Sequence, residues 1–89
     1  MKMVINTCFG EFSINQKIAD IFGFDRYNEK RTNRQLIELI ESGIDCNDED
    51  SKLVVVDIPD NATDCYINSY DGREIAIYVV DGKIHILDK

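Results

Sequence analysis

The sequence has few of the features that mark specialised protein classes. Proline and histidine each occur once, tryptophan is absent, and the three cysteines carry no Cys-x-x-Cys spacing. Three dispersed thiols and one histidine make no zinc finger. With no secretory signal, Cys8, Cys46 and Cys65 read as reduced thiols that pack rather than ligate. No apolar run approaches the ~18–20 residues of a membrane span, and the opening MKMVINTC has no signal-peptide character. Repeats, linkers and low-complexity stretches are also missing. These absences lead to the expectation of one small domain over residues 1–89, cytoplasmic, with no membrane contact and no cofactor.

Charge is what the chain does have. Ten Lys and Arg stand against seventeen Asp and Glu, a net charge of −7. Such a surface repels phosphate backbones, so direct nucleic-acid binding is not expected. The distribution is uneven. Arg26, Lys30, Arg31 and Arg34 fall within nine residues, whereas Glu38 to Asp64 holds nine acidic residues opposed only by Lys52. An acidic surface built on Glu38, Glu41, Asp45, Asp48, Glu49 and Asp50 is the expectation.

Hydrophobic spacing supplies the elements. Met3-Val4-Ile5 is a β-branched run that predicts a strand from Met1 to Asn6. Thr7 to Ser13 breaks the pattern around Gly10. Ile14, Ile18, Ile21 and Phe22 then fall at helical spacing, with Ser13 or Asn15 as cap and Gly23 as stop. A second helix begins at Thr32 or Asn33, buries Leu36, Ile37 and Ile40, and ends at Ser42-Gly43. Asp45 to Ser51 reads as an exposed polar loop. Leu53-Val54-Val55-Val56 is apolar at every position, the pattern of a strand buried on both faces, and Pro59 ends it. Two Asp-Gly turns then predict type I′ hairpins, joining Cys65–Tyr70 to Arg73–Val80 and the latter to Lys83–Leu87. The resulting class is α+β: a strand-loop-helix unit, a second helix, and a mostly antiparallel four-strand meander.

Three stretches taken together resemble a family of short phage and prophage proteins. They are Met3-Val4-Ile5-Asn6-Thr7-Cys8-Phe9-Gly10-Glu11-Phe12-Ser13, Arg31-Thr32-Asn33, and Lys52-Leu53-Val54-Val55-Val56-Asp57-Ile58-Pro59-Asp60. The family pattern runs V-I-N-x-C-F-G-G-F-S, R-T-D-P, then K-V-V-E-I-P-D before Y-D-G. This chain has Glu11 for the second glycine, Asn33-Arg34 for Asp-Pro, and a different sequence after Tyr70-Asp71-Gly72. The resemblance implies a viral or mobile-element origin and a shared fold, and no activity.

No constellation amounts to a catalytic signature, so an enzyme is not expected. Asp45, Asn47 and Glu49 alternate like calcium ligands, but the sixth position is Asp50 instead of glycine and the twelfth is Val56 instead of glutamate. Cys8 as a nucleophile would need a base, and His85 is the single histidine. The Asn6–Ser13 loop joins a strand to a helix, where backbone amides can meet an anion, yet it lacks both phosphate-loop patterns. A loop this short around one glycine has room to bury both Phe9 and Phe12 or to expose one. Arg31 and Arg34 sit at the positive end of the second helix, a placement that serves pairing with carboxylates or binding of an acidic group rather than helix stability. The candidate contact set is therefore Asn6, Thr7, Cys8, Phe9, Gly10, Phe12, Arg31, Arg34 and Tyr70. The expected function is a non-enzymatic binding protein that modulates a host cytoplasmic protein, through an acidic nucleic-acid-mimicking surface. The alternative is a nucleotide-binding or sequestering protein using the Asn6–Ser13 loop with the arginines.

Overall fold

The computed structural model describes residues 1–88, in which two helices and five strands form an α+β arrangement. They are β1 (Lys2–Asn6), α1 (Gln16–Phe22), α2 (Arg34–Glu41), β2 (Leu53–Asp57), β3 (Asp64–Tyr70), β4 (Arg73–Val80) and β5 (Lys83–Leu87). Lys89, last residue of the expected domain 1–89, lies outside the described residues.

The strands divide into two antiparallel sheets, β1–β2 and β3–β4–β5. The four-strand meander is thus corrected to three strands, because β2 turns back to pair with β1 from Lys2↔Asp57 to Asn6↔Leu53. The physical reason lies in the run itself. A strand apolar at consecutive positions is satisfied only between two layers. Leu53, Val55 and Val4 face the helices with Phe12, Ile14 and Leu36. Val56, Ile58, Met3 and Ile5 face the other way, onto Ala76, Ile67 and Tyr78 of the outer sheet. The order of layers is helices, two-stranded sheet, three-stranded sheet.

Both helix starts follow from asparagine caps. Asn15 accepts from the amides of Lys17 and Ile18, and Asn33 from that of Leu36, each satisfying an orphan donor of the first turn. Gly23 closes α1 in the left-handed conformation. Two details of the expected first stripe are corrected. Ile14 precedes the helix, fully buried, in an isolated bridge to Asn47. Ile21 is exposed, since the later start puts Ile18, Ala19 and Phe22 against the core and Ile21 on the shoulder of the helix. The segment Asp45–Ser51 is also less exposed than expected. Cys46 and Ser51 are buried, because Ser51 Oγ bridges the Ser13 carbonyl and the Asp48 amide at 2.8 Å each.

The hairpins form as the Asp-Gly pairs dictate, with positive φ at Asp71, Gly72, Asp81 and Gly82. The first turn also makes a close approach. A Cβ on Gly72 would stand 1.6 Å from the Gly10 carbonyl oxygen, so backbone meets backbone there and only glycine fits.

Candidate functional site

Strand alternation places Glu74 on the covered face of β4 with Ala76 and Tyr78, an acid where the layer requires apolar groups. Arg31 answers it. Its Nη1 and Nη2 donate to Glu74 Oε1 and Oε2 at 2.5 and 2.8 Å, a bidentate pair with the carboxylate buried. The Asn6 amide donates to the same Oε1 at 2.7 Å, and Arg31 also reaches the Val4 carbonyl at 3.3 Å. The guanidinium lies 3.6 Å from the centroid of the Phe12 ring, a cation–π contact that covers its other side. This latch joins the segment before α2, the end of β1 and the outer sheet.

Asn6 completes it. The side chain is fully buried and makes four hydrogen bonds: Oδ1 accepts from the amides of Cys8 and Lys52, and Nδ2 donates to the carbonyls of Cys8 and Gly72. Thr7 donates to the Lys52 carbonyl from both its amide and its hydroxyl. The Gly10 amide donates to the Asp71 carbonyl at 2.8 Å. The loop from Asn6 to Gly10 is therefore held at both ends.

What this rigid loop presents is Phe9. Its ring is 63% exposed, whereas Phe12, three residues on, is 5% exposed under Arg31. Phe9 shares a cleft of about 250 Å³ with Asn68, Tyr70, Arg73, Ile75 and Asp88, and Tyr70 is 75% exposed at its edge. Arg73 pairs with Asp88 on the cleft wall. Exposed acids stand near Gly10: Glu11 follows it in the chain, Asp71 accepts from its amide through the backbone carbonyl, and Asp50 packs so closely that a Cβ on Gly10 would lie 2.9 Å from its own.

The structure thus brings Phe9 and Tyr70 together and takes Arg31 and Phe12 into the latch. Arg34 lies elsewhere, lining an open groove of about 470 Å³ with Lys2, Thr32, Ile37, Glu38 and Glu41. No residue of that groove belongs to the Asn6–Ser13 loop, so Arg34 lies apart from the loop while Arg31 packs against it in the latch. The acidic set also separates. Glu41 pairs with Lys2 at 2.8 Å, and Asp48 pairs with Arg26. Asp45 caps the Asn47 amide at 3.0 Å. Glu38, Glu49 and Asp50 remain exposed, outside any ion pair among the described residues.

The Asp48 carboxyl is held below the usual aspartate range, first by the Glu49 amide and then by the Arg26 guanidinium. Burial pushes the thiols of Cys46 and Cys65 up, each helped by the preceding aspartate. The Cys8 thiol rests 3.5 Å from the Phe9 carbonyl, while the His85 ring stacks on Tyr78 at 5.0 Å. Among the described residues, no three His, Cys, Asp or Glu side chains converge as metal ligands, and no helix is long and apolar enough to cross a membrane.

Sequence reasoning missed Glu74 as Arg31's partner. The signal was present: counted along the strand, Glu74 shares parity with Ala76 and Tyr78, and an acid on a covered face requires a cation. Comparison with protein-family models, curated proteins and solved structures finds no match to this chain.

Proposed function

We propose that the chain is a small, non-enzymatic binding protein of phage or prophage type that acts on a host cytoplasmic protein. The observation that carries this reading is the exposed Phe9 ring, fixed on a pinned loop whose Gly10 is followed by the exposed Glu11 and contacts the exposed Asp50 and Asp71. An aromatic side chain whose backbone is already ordered loses little conformational entropy on docking, and such rings dominate binding hot spots. The acidic rim, within a net charge of −7, favours a partner surface with an apolar pocket bordered by Lys and Arg. A groove that ordinarily holds nucleic acid has that chemistry, and complementary charge speeds the encounter.

The test is affinity capture from host lysate with three baits: wild type, Phe9→Ala and Asp50→Lys. A specific host protein held at low salt, released by added salt and lost with either variant supports the reading. Recovery of the same proteins by all three baits removes it.

A further inference from the structure

In the outer sheet, Cys65, Ile67, Ala76, Tyr78 and Leu87 turn toward β1–β2, and the intervening residues turn away. Two apolar cross-strand rows run over the face so turned away. Tyr66 lies opposite Ile77 and Ile77 opposite Ile86, while Val79 lies opposite Ile84. Ile84 is 67% and Ile86 60% exposed, and Tyr66 and Tyr70 are exposed beside them. Both helices pack on the far side of the central sheet and leave this face open.

Its charges stand at the ends. Asp64 begins β3 at one end, and Arg73, paired with Asp88, begins β4 at the other. We infer that two copies of this chain pack outer face to outer face, with their strands antiparallel about a two-fold axis. That arrangement lays the Arg73 end of each copy over the Asp64 end of the other, so Asp64 of each copy meets the Arg73–Asp88 pair of the other on either side of an apolar centre. Parallel stacking would set Arg73 over Arg73. Sheets packed this way lie ~10 Å apart with strands within about 30° of alignment.

Area points the same way. Taking ~200 Å² for each tyrosine and somewhat less for each isoleucine, the exposed side chains of this face offer on the order of 500 Å². That is the upper end of what monomers leave uncovered, about 300–600 Å². With the half-buried Ile75 and Val79 it reaches roughly 600 Å² per partner, the size of a weak interface at the low end of the known range. The net charge of −7 per copy is screened beyond ~8 Å at physiological salt, which leaves the apolar contact to decide. The face adjoins the Phe9 cleft at Tyr70, Arg73 and Ile75, but Ile84 and Ile86 lie outside that cleft, so Phe9→Ala and Ile86→Lys test the two readings separately.

Sedimentation equilibrium on the purified full chain tests this, with circular dichroism melts on the same samples to show that each variant folds. Wild type is expected to show a monomer–dimer equilibrium with Kd about 10–100 µM. Ile86→Lys weakens it by at least about tenfold, since burying an unpaired charge opposes association. Asp64→Arg weakens it as well, by setting arginine against Arg73, and the double reversal, Asp64→Arg with the Arg73–Asp88 pair exchanged (Arg73→Asp, Asp88→Arg), restores it. A chain still monomeric at about 1 mM overturns the proposal and leaves the face to a different protein. A dimer indifferent to Ile86→Lys, or one the double reversal fails to restore, also overturns it.

Discussion

The two sheets are built from similar apolar residues and are treated in opposite ways. In β1–β2, Met3, Val4, Ile5, Leu53 and Val56 are all buried, because one layer packs on each face. In β3–β4–β5 only one face is covered, and Tyr66, Ile84 and Ile86 stand in solvent. A buried strand answers to packing alone, and there a lost methylene is felt. An exposed apolar side chain contributes little to the monomer's stability. The Arg31–Glu74 latch is where the regions meet, and it is the first place to separate them.

Removing one member of the latch is expected to produce the largest effect. Arg31→Met leaves a buried carboxylate without its cation, which costs about 3–5 kcal/mol in chemical denaturation. Glu74→Gln strands the guanidinium but keeps an oxygen for the Asn6 amide. The double variant should therefore be more stable than Arg31→Met alone. If it is less stable, the ion pair is not what joins the sheets.

Substitution inside the central sheet ranks next. Ile5→Ala, at a fully buried position, should cost about 2–5 kcal/mol by transfer and cavity formation. Ile84→Ser on the open face should change monomer stability by less than about 0.5 kcal/mol. Equal losses at the two positions would mean that the open face is packed within the monomer. The contrast recurs inside one loop. Phe9→Ala should leave the melting temperature within about 2 °C of wild type while abolishing capture of the partner, whereas Phe12→Ala should unfold the protein at much lower temperature. A large loss of stability on removing Phe9 would make that ring core.

Much of this fold was legible locally. The Asp-Gly turns, both asparagine caps and the two-sided burial of Leu53–Val56 each follow from a few adjacent residues. What was not legible joins residues far apart in sequence. Nothing near Leu53 says that it pairs with Asn6 instead of extending the meander, and nothing near Arg31 names Glu74. The candidate site divides along the same line. Phe9 and Tyr70 meet because Gly10 and Gly72 touch. Arg31, Phe12 and Asn6 turned from contact candidates into fold residues, because a buried acid and a tight turn claim them. Asn6, Gly10 and Arg31 thus have structural roles in this fold.

The smallest expected effect concerns pH and the acidic segment. Asp48 accepts from the Glu49 amide and pairs with Arg26, and both contacts favour its ionised form, so its folded pKa lies below the unfolded value. The sign follows from linkage. Above the unfolded value both states are ionised and the stabilisation is fully present. As pH falls through the lowered folded value, the native state must take up the proton and the stabilisation is lost. Asp48→Asn removes that proton uptake while retaining a side-chain oxygen for the Glu49 amide. Denaturant unfolding between about pH 7 and pH 3 should therefore show a shallower acid-side decline for Asp48→Asn than for wild type. The two proteins should differ most at the upper end of that range and converge toward the lower. Arg26→Gln should flatten the decline only in part, because the Glu49 amide is the larger cause and survives it. Identical slopes in all three proteins would show that neither the Glu49 amide nor Arg26 stabilises the Asp48 carboxylate in the folded state.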